Sequence, residues 1–221
     1  MWKLVLFSLS LGAFVACNLK SKSQQQPAPE VETDVDVVVV EEVEQVAEQW
    51  YAVASESEIM WRGFKPGGEH EGTVLLEKGS LLFMGDNASG FFEVNMKTIH
   101  VTDLEGNMKE KLENHLDSPD FFDIEKYPTA TFEITGMEMS DNADYPVRLH
   151  GNLAIKDSVQ SIHFLMKYAL VNDTLVAESD RFKIDRTDFG VDYMSKNIIK
   201  ELKDKFIHDD ISLRMKLKFV K

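Results

Sequence analysis

The chain has 221 residues, 43% of them hydrophobic and 28% charged, an ordinary globular composition with length for one well-buried domain and a tail. Its 38 acidic and 24 basic side chains leave a formal charge of -14, which repels phosphate backbones and argues against a nucleic acid partner. A single cysteine, Cys17, excludes an intramolecular disulfide and any cysteine-based zinc centre.

In chain order, residues 1–17 read "MWKLVLFSLSLGAFVAC". Lys3 supplies a positive start, Leu4 to Ala16 form an apolar run, and a small residue precedes the cysteine. The run is shorter than the roughly 20 residues a membrane-spanning helix needs and suits the core of a signal peptide. An Ala-Cys ending resembles the bacterial lipobox, with Phe14 where that pattern prefers leucine. The resemblance implies that Cys17 is lipidated, becomes the mature N-terminus, and anchors the chain to a membrane of the bacterial cell envelope, on the periplasmic side or at the outer membrane. More than one acyl chain is needed for firm attachment.

Residues 18–49 are expected to be an acidic, flexible tether. The segment contains "NLKSKSQQQPAPE" and then eight acids with no base between Glu30 and Glu48, so it repels itself and has little to bury. As a coil it would hold its ends about 30 Å apart. Val37 to Val40 interrupt it with four β-branched residues that favour extended structure.

From Trp50 to Lys221 the apolar period becomes two. "VRLHGNLAI" (147–155), "SIHFLMKYAL" (161–170) and "ISLRMKLKF" (211–219) each alternate apolar and polar side chains, as strands with one buried face do. Further strands are expected at 57–64, 71–78, 80–85, 90–101, 129–138 and 174–185, separated by turn sequences such as "GDNASG", "SDNADYP" and "VNDT". Two stretches show helical spacing instead: 107–118, stopped by Ser118-Pro119, and 196–207. Both are expected to be short capping helices. Eight or nine consecutive strands with one apolar face each make an all-β fold, a barrel or a sandwich, and the pattern alone does not choose.

The six histidines, His70, His100, His115, His150, His163 and His208, show no metal-binding spacing, and no nucleophile elbow, phosphate loop or dinucleotide fingerprint occurs. His70 and His115 are expected to make structural hydrogen bonds, and His150 and His163 to face solvent. Acid pairs such as Asp120 with Asp123 and Asp185 with Asp188 are what so acidic a chain contains anyway. Nothing marks an enzyme, a metal or a dedicated cofactor.

"HLDSPDFFDIEKYPTATFEITG" (115–136), "VRLHGNLAIKD" (147–157) and "DRTDFGVDY" (185–193), with "HEGTV" and "FFEVNMKTIHVTD" upstream, together resemble the YceI-like family over roughly residues 50–221. Asn95 stands where many relatives carry aspartate, and "VQSIHF" replaces a Gly-Val-Thr turn. The resemblance implies a lipocalin-like antiparallel β-barrel of about eight strands with one or two short capping helices, whose interior binds or carries an amphiphilic lipid such as a polyisoprenoid or quinone-like chain without catalysis. Family members often act in pairs, so a homodimer is a further expectation. The competing reading is a structural or partner-binding envelope lipoprotein whose barrel is filled.

Candidate lining residues follow from the apolar faces: Phe92, Val94 and Met96; Phe132 and Ile134; Leu149 and Leu153; Phe164 and Met166; Phe182 and Ile184. For any one of them plain core packing is the favoured reading, and only the set together points to a cavity. Phe121 and Phe122, just after the first helix, either line the barrel mouth or close the core as an end cap.

Overall fold

Ten strands and one helix follow from this alternation in the computed structural model, which describes residues 47–221. The export signal, Cys17, the valine cluster and the tether as far as residue 46 lie outside the described residues. The strands are β1 (Glu48–Ala52), β2 (Glu58–Lys65), β3 (Gly68–Met84), β4 (Asn87–Val101), β5 (Thr129–Met139), β6 (Val147–Ile155), β7 (Ser158–Val171), β8 (Thr174–Ser179), β9 (Phe182–Asp185) and β10 (Asp210–Val220), with α1 (Gly106–Asp117) between β4 and β5. Neighbours pair antiparallel in the order β1-β10-β2-β3-β4-β5-β6-β7-β8, and β10 also pairs with β8 and β9. The sheet therefore closes on itself. β1 and β2 share one place in the ring, as do β8 and β9, so ten segments make an eight-position barrel of the expected class.

Two serines repair the broken places. Where β1 gives way to β2, the Ser57 hydroxyl accepts from the Lys218 N–H (3.1 Å) and donates to the Lys218 carbonyl (3.4 Å). Where β8 gives way to β9, the Ser179 hydroxyl accepts from the Met215 N–H at 2.9 Å. Both serines are buried. Each supplies β10 with the ladder partner that the break removes, as a buried backbone N–H requires.

Bulges explain where the strands depart from the expected spans. Along β3 the inward positions run Gly72, Val74, Leu76 and then Gly79 and Leu81, a three-residue step made by the irregularity between Leu76 and Lys78. A bulge inserts an unpaired residue and flips the facing of the residues beyond it. Residues 71–78 and 80–85 are thus halves of one strand. A similar change of phase at Asp180–Arg181 divides the expected strand 174–185 into β8 and β9. In β4, Asn95 holds another bulge: its side-chain oxygen accepts from the Lys97 N–H at 3.1 Å and its amide donates to Glu77 at 2.7 Å. The Thr98 hydroxyl completes it by accepting from the Leu75 N–H at 2.9 Å.

The helix expected at 107–118 is α1. The second, at 196–207, is not a helix. Ile207 bridges Ser195 and donates its N–H to the Met194 carbonyl at 2.9 Å, so the ends of the segment touch, whereas twelve helical residues would hold them about 18 Å apart. One helical turn forms, Ile199 N–H to Ser195 carbonyl at 2.8 Å, and Lys203 then takes a left-handed conformation. Ile198 and Ile199 stay exposed. The first strand begins at Glu48 and pairs with β3 through Trp50 opposite Leu81.

Inside the barrel, phenylalanine rings lie over glycines. Gly79 faces Phe92 across β3 and β4, and a Cβ at Gly79 would come within 2.7 Å of that ring. At Gly151 a Cβ would meet Phe132 at 2.2 Å. Gly151→Ala is therefore expected to destabilise the fold by about 1–3 kcal/mol through overpacking. Gly63→Ala, whose Cβ would meet nothing within 4 Å, should stay within about 0.5 kcal/mol. Urea denaturation of both variants checks the contrast; equal losses would contradict this packing.

Candidate functional site

Apolar alternation on a closed ring must either fill the interior or surround a void, and at one end of this barrel it surrounds a void. A cavity of about 170 Å³ is bounded by Ile59, Val94, Met96, Leu153, Ile162 and Met215, among others. A water needs roughly 10–15 Å³ measured this way and two to four polar partners. The cavity has the first many times over and almost none of the second, so it suits an apolar occupant. A second cavity of about 20 Å³ lies toward the other end, beside Phe83, Leu149, Met166 and Phe219.

The large cavity reaches its rim where β2 and the segment before β10 meet. Gly63 takes the inward position there after Ile59 and Trp61, leaving open space where a side chain would project. His208 borders the same rim, is exposed, and its imidazole makes no hydrogen bond to another described residue. Arg186 is the other titratable group on the wall, and it is committed to the framework. It is 2% exposed, pairs with Asp209 at 3.2 Å, and donates to the carbonyls of His208 (3.1 Å), Ile207 (3.1 Å) and Val191. Burial pulls its guanidinium below the ordinary arginine value while Asp209, Asp185 and Asp192 pull the other way; the group stays protonated. This buried fork ties the chain before β10 to the 3-10 turn of residues 186–189, whose start Asp185 caps by accepting from the Thr187 N–H at 2.8 Å.

A second cluster of buried side chains, Val101, Leu116, Phe121 and Val191, covers this end. His115 of α1 stacks edge-on against Phe121 (4.9 Å) and Tyr193 (4.6 Å) and reaches Asp120 at 3.4 Å. Lys156, at the β6–β7 turn, joins two strips of the cap by donating to the carbonyls of Phe121 (3.1 Å) and Gly190 (3.2 Å). Phe121 is buried in this cluster as an end cap, and both it and Phe122 also border the cavity. The two readings of the phenylalanine pair therefore hold together. On the outside, His70 binds Asp103 at 2.8 Å, and Asp103 also accepts from the Glu71 N–H at 3.1 Å. Burial would raise the Asp103 carboxyl, but those bonds and the charge of His70 outweigh it and hold it below the ordinary aspartate range.

Most of the expected lining residues converge. Phe92, Val94, Met96, Phe121, Phe122, Phe132, Leu153, Phe164, Phe182 and Ile184 border the large cavity. Leu149 and Met166 do not; they border the small one. Ile134 borders neither, because it sits opposite Gly151 where the Phe132 ring already occupies the space. The wall contributed by β2 and β10, namely Ile59, Trp61, Gly63, Ile211, Leu213 and Met215, was not singled out from the sequence. The alternation of 211–219 marked that face as apolar without telling a cavity wall from a core. Arg186 and His208 carried no signal of their own beyond adjacency to the Asp-Phe-Gly motif and to β10. Among the described residues no cluster of three His, Cys, Asp or Glu could hold a metal ion, and no helix is long and apolar enough to cross a membrane.

The family model of the YceI-like domain matches residues 50–219, and the chain belongs to that family. No curated protein matches it in sequence. Among solved structures, BcnA of Burkholderia cenocepacia aligns over 76% of this chain and 98% of its own, with a TM-score of 0.59 and 16% identity. A polyisoprenoid-binding domain from Saccharophagus degradans, described as implicated in plant cell wall breakdown, aligns over 77% of this chain and 97% of its own, with a TM-score of 0.55 and 11% identity. Likeness at these identities establishes a shared fold.

Arg186→Met should cost about 3–5 kcal/mol of stability, since it leaves the mostly buried Asp209 carboxylate without its cation, only the Asn197 amide still donating to it, and strips donors from three carbonyls. Chemical denaturation measures this; a loss under about 1 kcal/mol would show that the fork does not hold the cap.

Proposed function

We propose that this YceI-like domain binds an amphiphilic lipid without transforming it, taking the apolar chain into the barrel and leaving the polar head at the rim. The observation that carries the proposal is the apolar cavity of about 170 Å³ beneath the α1 cap. The walls of an apolar cavity lack the contacts that a packed core would give them, and an apolar chain seated there supplies them. Open space at Gly63 offers an entrance, and the uncommitted His208 imidazole offers a donor or acceptor for a hydroxyl, carbonyl or phosphate head. The Saccharophagus domain of the same fold, named for polyisoprenoid binding, supports a prenyl or quinone-like chain as the ligand class.

The competing reading, an envelope lipoprotein with a filled barrel, fits the far end of the ring, where Trp50, Leu81, Leu175 and Phe219 pack as core. It does not account for the void at the capped end. The sequence "MWKLVLFSLSLGAFVAC" supports the further proposal that the chain is exported and held at a bacterial membrane through Cys17, with the acidic segment as its tether. In a bacterial host fed labelled palmitate, the chain is expected to take up label and Cys17→Ser to lose it; label retained by the variant would contradict lipidation at this residue.

Leu153→Trp, which projects an indole into the void, tests the cavity itself. Uptake of a fluorescent prenyl probe should fall at least tenfold, about 1.4 kcal/mol, while Tm stays within about 5 °C. Undiminished uptake by the folded variant would place binding elsewhere.

A further inference from the structure

The two cavities lie in one barrel and are separated by side chains that face both. Phe92, Phe164, Met215 and Leu217 border the large cavity on one side and the small one on the other. They are braced into a transverse layer. The Phe164 ring stacks on Phe182 with centroids 4.5 Å apart and 14° between planes, and it leans on Phe132 at 5.5 Å. Phe92 stacks on Phe132 at 6.3 Å and touches Phe219 of the filled half at 5.9 Å. Phe92 and Phe164 are almost fully buried, and Phe92 cannot swing toward β3 without leaving the space above Gly79.

Resting on the lipid-binding reading, we infer that this layer is a floor that sets the length of chain the protein accepts, with Phe164 as its specificity-determining residue. A dry apolar cavity of about 150 Å³ takes one benzene, roughly 25 Å³ per heavy atom, so the cavity of about 170 Å³ holds about seven heavy atoms in file. That is between one and two isoprene units. A longer chain meets the Phe164 and Phe92 rings and must leave its excess in water at the rim, where added methylenes contribute nothing. Removing the Phe164 ring deletes six carbons from the floor and joins the large cavity to the small one, which admits about one further isoprene unit. Met215 faces both cavities from β10, so shortening it opens the same floor from another strand.

The test uses dimethylallyl alcohol, geraniol and farnesol, alcohols of one, two and three isoprene units, as probes that displace a fluorescent prenyl reporter from the full chain. For wild type, affinity should rise from the first alcohol to the second and not from the second to the third. In Phe164→Ala and in Met215→Ala, the preference for farnesol over geraniol should increase about tenfold. Phe164→Ala removes much core contact, so Met215→Ala keeps the test decisive if the first variant does not fold, as read by circular dichroism. A folded variant with the wild-type ratio, or a wild type that gains affinity at every added unit, overturns the floor alone. Wild type displaced by none of the three alcohols overturns the lipid-binding reading, and the floor with it.

Discussion

Closure of the sheet is the constraint on which the rest of this structure depends. Once β10 pairs with β8 on one side and with β1 and β2 on the other, no edge is left in the ring, and the number of strands sets how wide the interior is. The chain cannot widen or narrow that space; it can only choose which side chains project into it. Closure also demands that β10 find partners along its whole length, although two of its neighbours are interrupted. Ser57 and Ser179 answer that demand with hydroxyls, so strands can break and change facing without leaving orphaned backbone groups in the wall.

Within that fixed width, side-chain size divides the barrel into two halves. Toward one end Trp50, Leu81, Leu175 and Phe219 pack as core that leaves only about 20 Å³ open. Toward the other, inward positions carry Val94, Ala130 and Gly63, too small to reach across, and the space between them stays open under a separately packed lid. Phe92, Phe132 and Phe164 mark the frontier, two of them seated over glycines that make room for their rings. The lid is held by its own apolar cluster of Val101, Leu116, Phe121 and Val191 and by polar bonds, Arg186 with Asp209 and three carbonyls, and Lys156 between Phe121 and Gly190.

The fold was legible in the sequence wherever period two ran without interruption. β6, the first half of β7 and β10 follow the expected faces residue by residue, because one phase of alternation persists along each. Legibility failed where the phase changed. β3 reads as two strands because its bulge reverses the facing after Leu76, and β8 with β9 reads as one because the break at Asp180–Arg181 is marked by neither glycine nor proline. The segment 196–207 has helical spacing, yet the pairing of Ser195 with Ile207 imposes a closed loop on it, a tertiary demand no local pattern reveals. For the candidate site, the phenylalanines and β-branched residues of β4, β5 and β9 were recognisable as inward. That Ile134 is core while Leu153 lines a void depends on where rings from other strands lie, and period two carries no such information.

The claim at the centre is that an apolar chain occupies the space between the α1 lid and the Phe164 layer. A crystal structure of the protein grown with farnesol tests it most directly. The account predicts continuous density for the chain running from the rim at His208 past Leu153 and Ile162 and ending at Phe164. Density for the alcohol only on the outer surface, or a cavity closed by inward collapse of its own side chains, would contradict it.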